Sequence, residues 1–281
     1  MTTIESFGFG DTGYSYEDAE VVVIGAPFDG TSSYRPGARF APNAIRAALF
    51  GIESYSPYQD KDMCNVRLYD CGDLGLPYGN AERSLEIIEE RVDTFISDGK
   101  LPFMIGGEHL VTLGAVRALR RKYDGLRIVH IDAHTDLMDD YMGEKLSHAT
   151  VMRRVCELVG DGKIYQYGIR SGKRHEFEYA RERTHMQRFD LRGLECISGI
   201  VQSLPVYLTV DLDVLDPSVF PGTGAPEAGG VSFKELLDAL IGLSGMNIVG
   251  CDMVELSPGC DPSGVSTITA CKLLREMVLV L

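Results

Sequence analysis

The chain has 281 residues, 44% of them apolar, enough for one large α/β domain or two smaller ones with a sizeable core. Its 27 basic and 41 acidic side chains leave a formal charge of −14, which argues against a nucleic-acid-binding face and favours cationic partners. No run approaches the roughly 20 apolar residues that span a bilayer; the N-terminal MTTIESFGFGDTGYSYEDAE lacks a leader pattern, and seven scattered cysteines without a CxxC fit a reduced, cytoplasmic chain.

In chain order, Val21–Phe28 (VVVIGAPF) has the pattern of a buried strand. A helix is expected over Pro42–Ile52, a short strand over Val66–Tyr69 and an amphipathic helix over Ala81–Ile96. Leu101–Ile105 is a strand closed by Gly106-Gly107, followed by a helix over Val111–Lys122 and a strand over Leu126–Ile131. Ala149–Val159 reads as a helix, and Ile164–Ile169 and Val206–Val210 as strands. Ser232–Leu243 is a helix with Ser232 as N-cap, Asn247–Val254 a strand and Val265–Val280 a final helix. Strands alternating with helices imply βαβ units and a mainly parallel sheet covered on both faces. No repeat or linker interrupts the pattern, so residues 1–281 read as a single domain.

Ionisable residues cluster where such a sheet binds ligands, beyond the carboxyl ends of its strands. Glu108-His109 follows LPFMIGG, Asp132-Ala133-His134-Thr135-Asp136 follows RIVHI, Asp211-Leu212-Asp213 ends VYLTV, and Glu255 follows NIVGCDMV. In extended chain, Asp132, His134 and Asp136 share one face, as do Asp211 and Asp213. Converging carboxylates cost free energy unless a cation lies between them. The candidate ligands are therefore His109, Asp132, His134, Asp136, Asp211 and Asp213. Six exceed the roughly four that zinc prefers. A carboxylate-rich, thiolate-free set suits harder ions such as Mn²⁺, and two ions about 3.5–4 Å apart make a hydrolytic centre that acidifies water to a pKa of ~7. His130 shares the parity of Asp132 and reads as a buried, hydrogen-bonded histidine, while His175 and His185 lie in a polar, exposed stretch.

The blocks GGEH (106–109), DAHTD (132–136), SHAT (147–150), TVDLDVLDPS (209–218) and VELSP (254–258) resemble the signatures of the ureohydrolase (arginase/agmatinase) family. GAPFDGTSSYRPGARFAP (25–42), GIRSG (168–172) and PGTGAPEAGG (221–230) resemble its agmatinase branch. The resemblance implies an arginase-like three-layer fold with an eight-stranded, mainly parallel sheet, two Mn²⁺ ions per subunit, hydrolysis of a guanidinium group to urea, and a trimer or hexamer. It implies that His109 and Asp136 bind one ion, His134 and Asp213 the other, and that Asp132 and Asp211 bridge both. Asp136 would also hold the bridging hydroxide, Glu255 would pair with the substrate guanidinium, and His148 would shuttle protons to the leaving amine. Ala149, Cys260, Ser266 and Thr267 depart from the family's usual residues.

The segment after Asp136, residues 137–145, carries Asp139, Asp140 and Glu144 against Lys145. An acidic rim there would suit agmatine, a dication without a carboxylate, over arginine, a guanidino acid or formiminoglutamate. Arg170 and Lys145 are the candidates for an anionic substrate's partner, and Arg35 for a pocket or subunit contact. A dinucleotide-binding domain is disfavoured because no GxGxxG opens a helix. A catalytically silent metal-binding paralogue is disfavoured because Glu255 and His148 accompany the ligand set.

Overall fold

The computed structural model describes residues 13–281. Its centre is one sheet of eight parallel strands: β1 (Val21–Ala26), β4 (Leu68–Asp73), β5 (Leu101–Gly106), β6 (Arg127–Ile131), β7 (Ile164–Ile169), β8 (His185–Arg188), β9 (Val206–Asp211) and β10 (Ile248–Val254). The spatial order is β4-β1-β5-β10-β9-β6-β7-β8. A two-stranded hairpin, β2 (Tyr55–Ser56) with β3 (Lys61–Asp62), lies apart from it.

Alternation along each strand builds two separate cores, because successive side chains point to opposite faces. On β1, Val21 and Val23 join one core while Val22 and Ile24 join the other; on β9, Leu208 and Val210 oppose Tyr207 in the same way. The first core is covered by α1 (Ala41–Ala48), α6 (Ile197–Val201), α7 (Phe233–Ile241) and α8 (Val265–Val280). The second is covered by α2 (Ala81–Ser97), α3 (Val111–Lys122), α4 (Val151–Val159) and the Ala180 face of α5 (Arg174–Arg183). The result is the expected three-layer arrangement.

Helices α5 and α6, strand β8 and the β2–β3 hairpin escape the sequence reading. Helix α5 carries only Glu176 and Ala180 as buried residues, so its apolar stripe is too thin to register. Strand β8 is a four-residue polar edge with no fully buried position. The expected helix at Pro42–Ile52 splits into α1 and a 3₁₀ turn at Leu49–Gly51. Among the described residues, no helix is long and apolar enough to cross a membrane.

Candidate active site

Three strand ends and their turns deliver the six candidate ligands. At the end of β5 the backbone of Gly107 packs on the Phe28 carbonyl so closely that a Cβ would collide with it. Gly107 N–H donates to Ala26 O at 2.9 Å and Glu108 N–H to Phe28 O at 2.7 Å, which turns His109 inward. The Asp132–Asp136 segment leaves the sheet after β6 in a bent path rather than an extended one. Asp136 has φ +51°, and the Glu176 carboxylate accepts from Thr135 Oγ1 and from Leu137 N–H. Asp213 lies in a 3₁₀ turn, Leu212–Val214, whose N-cap is Asp211; Asp213 N–H donates to Asp211 Oδ1 at 2.8 Å. The aspartates therefore converge through turn geometry, not through the strand parity expected from the sequence. Local hydrogen bonding by Asp side chains favours such turns over continued strand.

The convergence is tight. His109 Nδ1 lies 3.0 Å from Asp132 Oδ2, 3.2 Å from Asp211 Oδ2 and 3.4 Å from Asp136 Oδ2. His134 Nδ1 lies 2.8 Å from Asp213 Oδ2 and 3.6 Å from Asp132 Oδ1. Asp132 thus belongs to both halves of the cluster. Below it, His130 is fully buried, and its Nε2 meets Asp132 Oδ2 at 2.7 Å. Gln166 Nε2 approaches His130 Nδ1 at 3.1 Å and donates to Thr135 O at 2.9 Å. On the other side, His109 Nε2 meets Thr209 Oγ1 at 2.9 Å, which orients the ring.

Charge and donor type fit a cation. Burial, then the charge of Asp132, pushes the Asp136 carboxyl well above its ordinary value; burial, then Asp213 and Asp132, does the same to Asp211. Burial opposes charge on His109 and His134, yet the facing carboxylates hold both imidazoles well above the usual range. These shifts mark a site that favours positive charge among its carboxylates. His109 Nδ1 faces these acids buried and without a satisfactory hydrogen bond. Two ligand groupings are compact enough for an ion, His109/His130/Asp132/Asp136 and Asp132/His134/Asp213. Oxygen donors with two imidazoles suit a hard divalent ion rather than a thiolate-bound one.

The cluster floors a cavity of about 370 Å³ lined by His134, Asp136, Asp211, Asp213, His148 and Glu255. Glu255 has φ +67°, accepts from His109 N–H at 2.8 Å, and is pushed up to about 8 by burial and the neighbouring Glu108. The acidic rim expected of residues 137–145 is not there: that segment contributes Met138 and Tyr141 to the lining. Asp139 turns away to Arg154 at 3.0 Å, and Asp140 accepts from Gly143 N–H at 3.0 Å. Exposed acids on a turn take the nearest cation or amide. Arg35 and Lys173 line the cavity instead. Arg35 donates to the carbonyls of Thr223 and Gly224, and Arg170 is spent on the Asp213 and Glu227 carbonyls, both at 2.8 Å.

The Arginase family profile matches residues 19–280. The chain belongs to the arginase family. An agmatinase of Bacillus anthracis is 48% identical over 269 residues, covering 94% of this chain and 93% of that protein. A crystal structure from Clostridium difficile superposes with a TM-score of 0.92 at 48% identity, covering 95% of this chain and 98% of that one. The agmatine ureohydrolase of Thermoplasma volcanium superposes with a TM-score of 0.88 at 36% identity, covering 97% and 93%. The chain is accordingly an arginase-family enzyme, a ureohydrolase in fold and in family.

Three groups of this arginase-family chain were not legible as site residues. Glu176 is buried on α5 and ties down the turn that carries Asp136. Gln166 and Thr184, joined at 2.9 Å, stand behind His130. Thr31 and Ser33 reach His148 from 117 and 115 residues away in sequence. Only the last pair carried any signal, as hydroxyl residues in a Gly/Pro-bounded loop.

Proposed function

We propose that the enzyme hydrolyses agmatine to putrescine and urea at a centre of two Mn²⁺ ions per subunit. The observation that carries this reading is the burial of Asp132, Asp136, Asp211, Asp213 and His109, with a half-buried His134 beside them, beneath a cavity walled by Glu255. His109 and Asp136 would hold one ion, His134 and Asp213 the other, and Asp132 and Asp211 both; the contacts of Asp136 with His109, of Asp213 with His134 and of Asp132 with both rings support the division for those five residues. Such ions neutralise the carboxylates and acidify water toward pKa ~7.

The chain's own residues supply the rest. Glu255, already oriented by His109 N–H, would bind the guanidinium through two charge-assisted hydrogen bonds and present its carbon to the attacking water. Asp136 would hold that water. His148 would take a proton and hand it to the leaving nitrogen, which departs with the bonding electron pair as the amine of putrescine. Burial brings His148 down to about 4, so the ring is neutral at physiological pH.

Agmatine as substrate is supported by the 48% identity to the Bacillus anthracis agmatinase. A guanidino acid is the second reading, favoured by Lys173 at the cavity and by the orientation of Asp139 and Asp140 away from it. Urea release from agmatine, arginine and 4-guanidinobutyrate at equal concentration, with Mn²⁺, separates the two; agmatine is expected to win, and a larger kcat/KM for the acid would overturn the assignment. The same proposal takes residues 1–281 as one ureohydrolase domain acting in the cytoplasm as a homotrimer or homohexamer. A monomer mass in light scattering would contradict the assembly.

A further inference from the structure

The loop between β1 and α1 is strapped down at two points. Asp29, 3% exposed, accepts from Gly37 N–H at 2.8 Å and pairs with Arg39. Glu108 is fully buried beside His109 and accepts from Thr31 N–H at 2.9 Å, from Thr31 Oγ1 and from Ser32 Oγ at 3.1 Å. The strap therefore hangs from the residue adjoining a candidate ligand. Its far side meets the His148 loop. His148 N–H donates to Thr31 Oγ1 at 3.1 Å, and Ser33 Oγ lies 3.1 Å from His148 Nε2. Thr31 Oγ1 thus donates to Glu108 and accepts from His148, using its hydroxyl in both directions.

We propose that Ser33 positions the imidazole of His148 for proton transfer, with Thr31 fixing the backbone from which that ring projects. The proposal rests on the reading of His148 as the proton carrier and deepens it. Among the described residues, Ser33 is the hydrogen-bond partner of the ring, since His148 Nδ1 is buried with none. The remaining restraint is apolar: the Tyr141 ring stands edge-on at 5.8 Å. Ser33 and His148 line the same cavity as Asp136 and Glu255. A hydroxyl is suited to the task because it donates to the neutral Nε2 and accepts from a protonated one. The tether therefore persists in both protonation states of the ring. Alanine at this position leaves the imidazole free to turn about χ2, and threonine keeps the hydroxyl.

The test is a double-mutant cycle on the Mn²⁺-loaded protein with agmatine as substrate. His148→Asn is expected to lower kcat about 10²–10⁴-fold, the usual weight of a positioned proton carrier. Ser33→Ala is expected to lower kcat about 10–100-fold, the scale of a misplaced group, with KM and manganese content unchanged. Ser33→Thr should restore most of kcat. Added to His148→Asn, Ser33→Ala should cost nothing more, because both act on one ring. Full kcat in His148→Asn, or no urea from agmatine with the wild type, sinks the underlying reading. A lowered kcat in His148→Asn overturns the positioning role alone if Ser33→Ala leaves kcat intact, if its loss falls on KM, if Ser33→Thr behaves like alanine, or if the two losses multiply.

Discussion

At the scale of single residues, the proposed reading assigns metal holding to Asp213 and substrate holding to Glu255. Asp213 Oδ2 touches His134 at 2.8 Å, whereas Glu255 is held by the His109 backbone. Asp213→Ala should therefore lose one manganese equivalent by elemental analysis, along with most activity. Glu255→Gln should keep both ions and lose about 100-fold or more in kcat/KM, the result of removing one partner of a buried charge-assisted pair. Two ions retained in the first variant, or unchanged kinetics in the second, would contradict these assignments. The candidate ligand aspartates were legible because each lies within a few residues of an apolar strand's carboxyl end. The direction of the side chains after Asp136 was not: Asp139 answers to Arg154 on α4, a partner 15 residues away that composition does not reveal.

At the scale of elements, the turn after β5 is the most exacting part of the scaffold. Gly106 and Gly107 let β5 pass under Val254 and Phe28, and a Cβ on Gly107 would strike the Phe28 backbone. Gly107→Ala should destabilise the fold by about 1–3 kcal/mol, as overpacking does, and should shift His109 with it. Thermal melting and manganese titration read both effects; wild-type values in each would show that the strap yields without cost. The GG signal in the sequence marked this turn, as steric logic predicts. The sequence was silent on α5 and β8 for the opposite reason. Both lie at the sheet edge, where solvent covers one side and polar residues such as His185 and Arg188 are tolerated.

At the scale of the whole molecule, buried charge couples the site to global stability. Removal of metal leaves Glu108 pushed up to about 7 and Glu255 to about 8, while the unfolded chain titrates both near 4.5. Burial is the first cause in each case. Above about pH 6.5, the ordinary value for histidine, the lowered His130 and His148 are neutral in both states and drop out. The folded, metal-free protein then binds more protons than the unfolded one, so its stability falls as pH rises from 6.5 through 8. The melting temperature of chelated protein should decline across that window, and Mn²⁺ should flatten the decline by replacing the protons. A flat profile without metal would show that these carboxylates are not desolvated. The sheet order carries a consequence in time. Strand β10 lies between β5 and β9, so the halves β4-β1-β5 and β9-β6-β7-β8 have no shared edge until it inserts. His109 belongs to one half and the five other candidate ligands to the other. A nascent chain that has not yet released residues 248–254 from the ribosome holds an incomplete claw, and the candidate metal cluster is brought together only after the last strand has threaded the middle of the sheet.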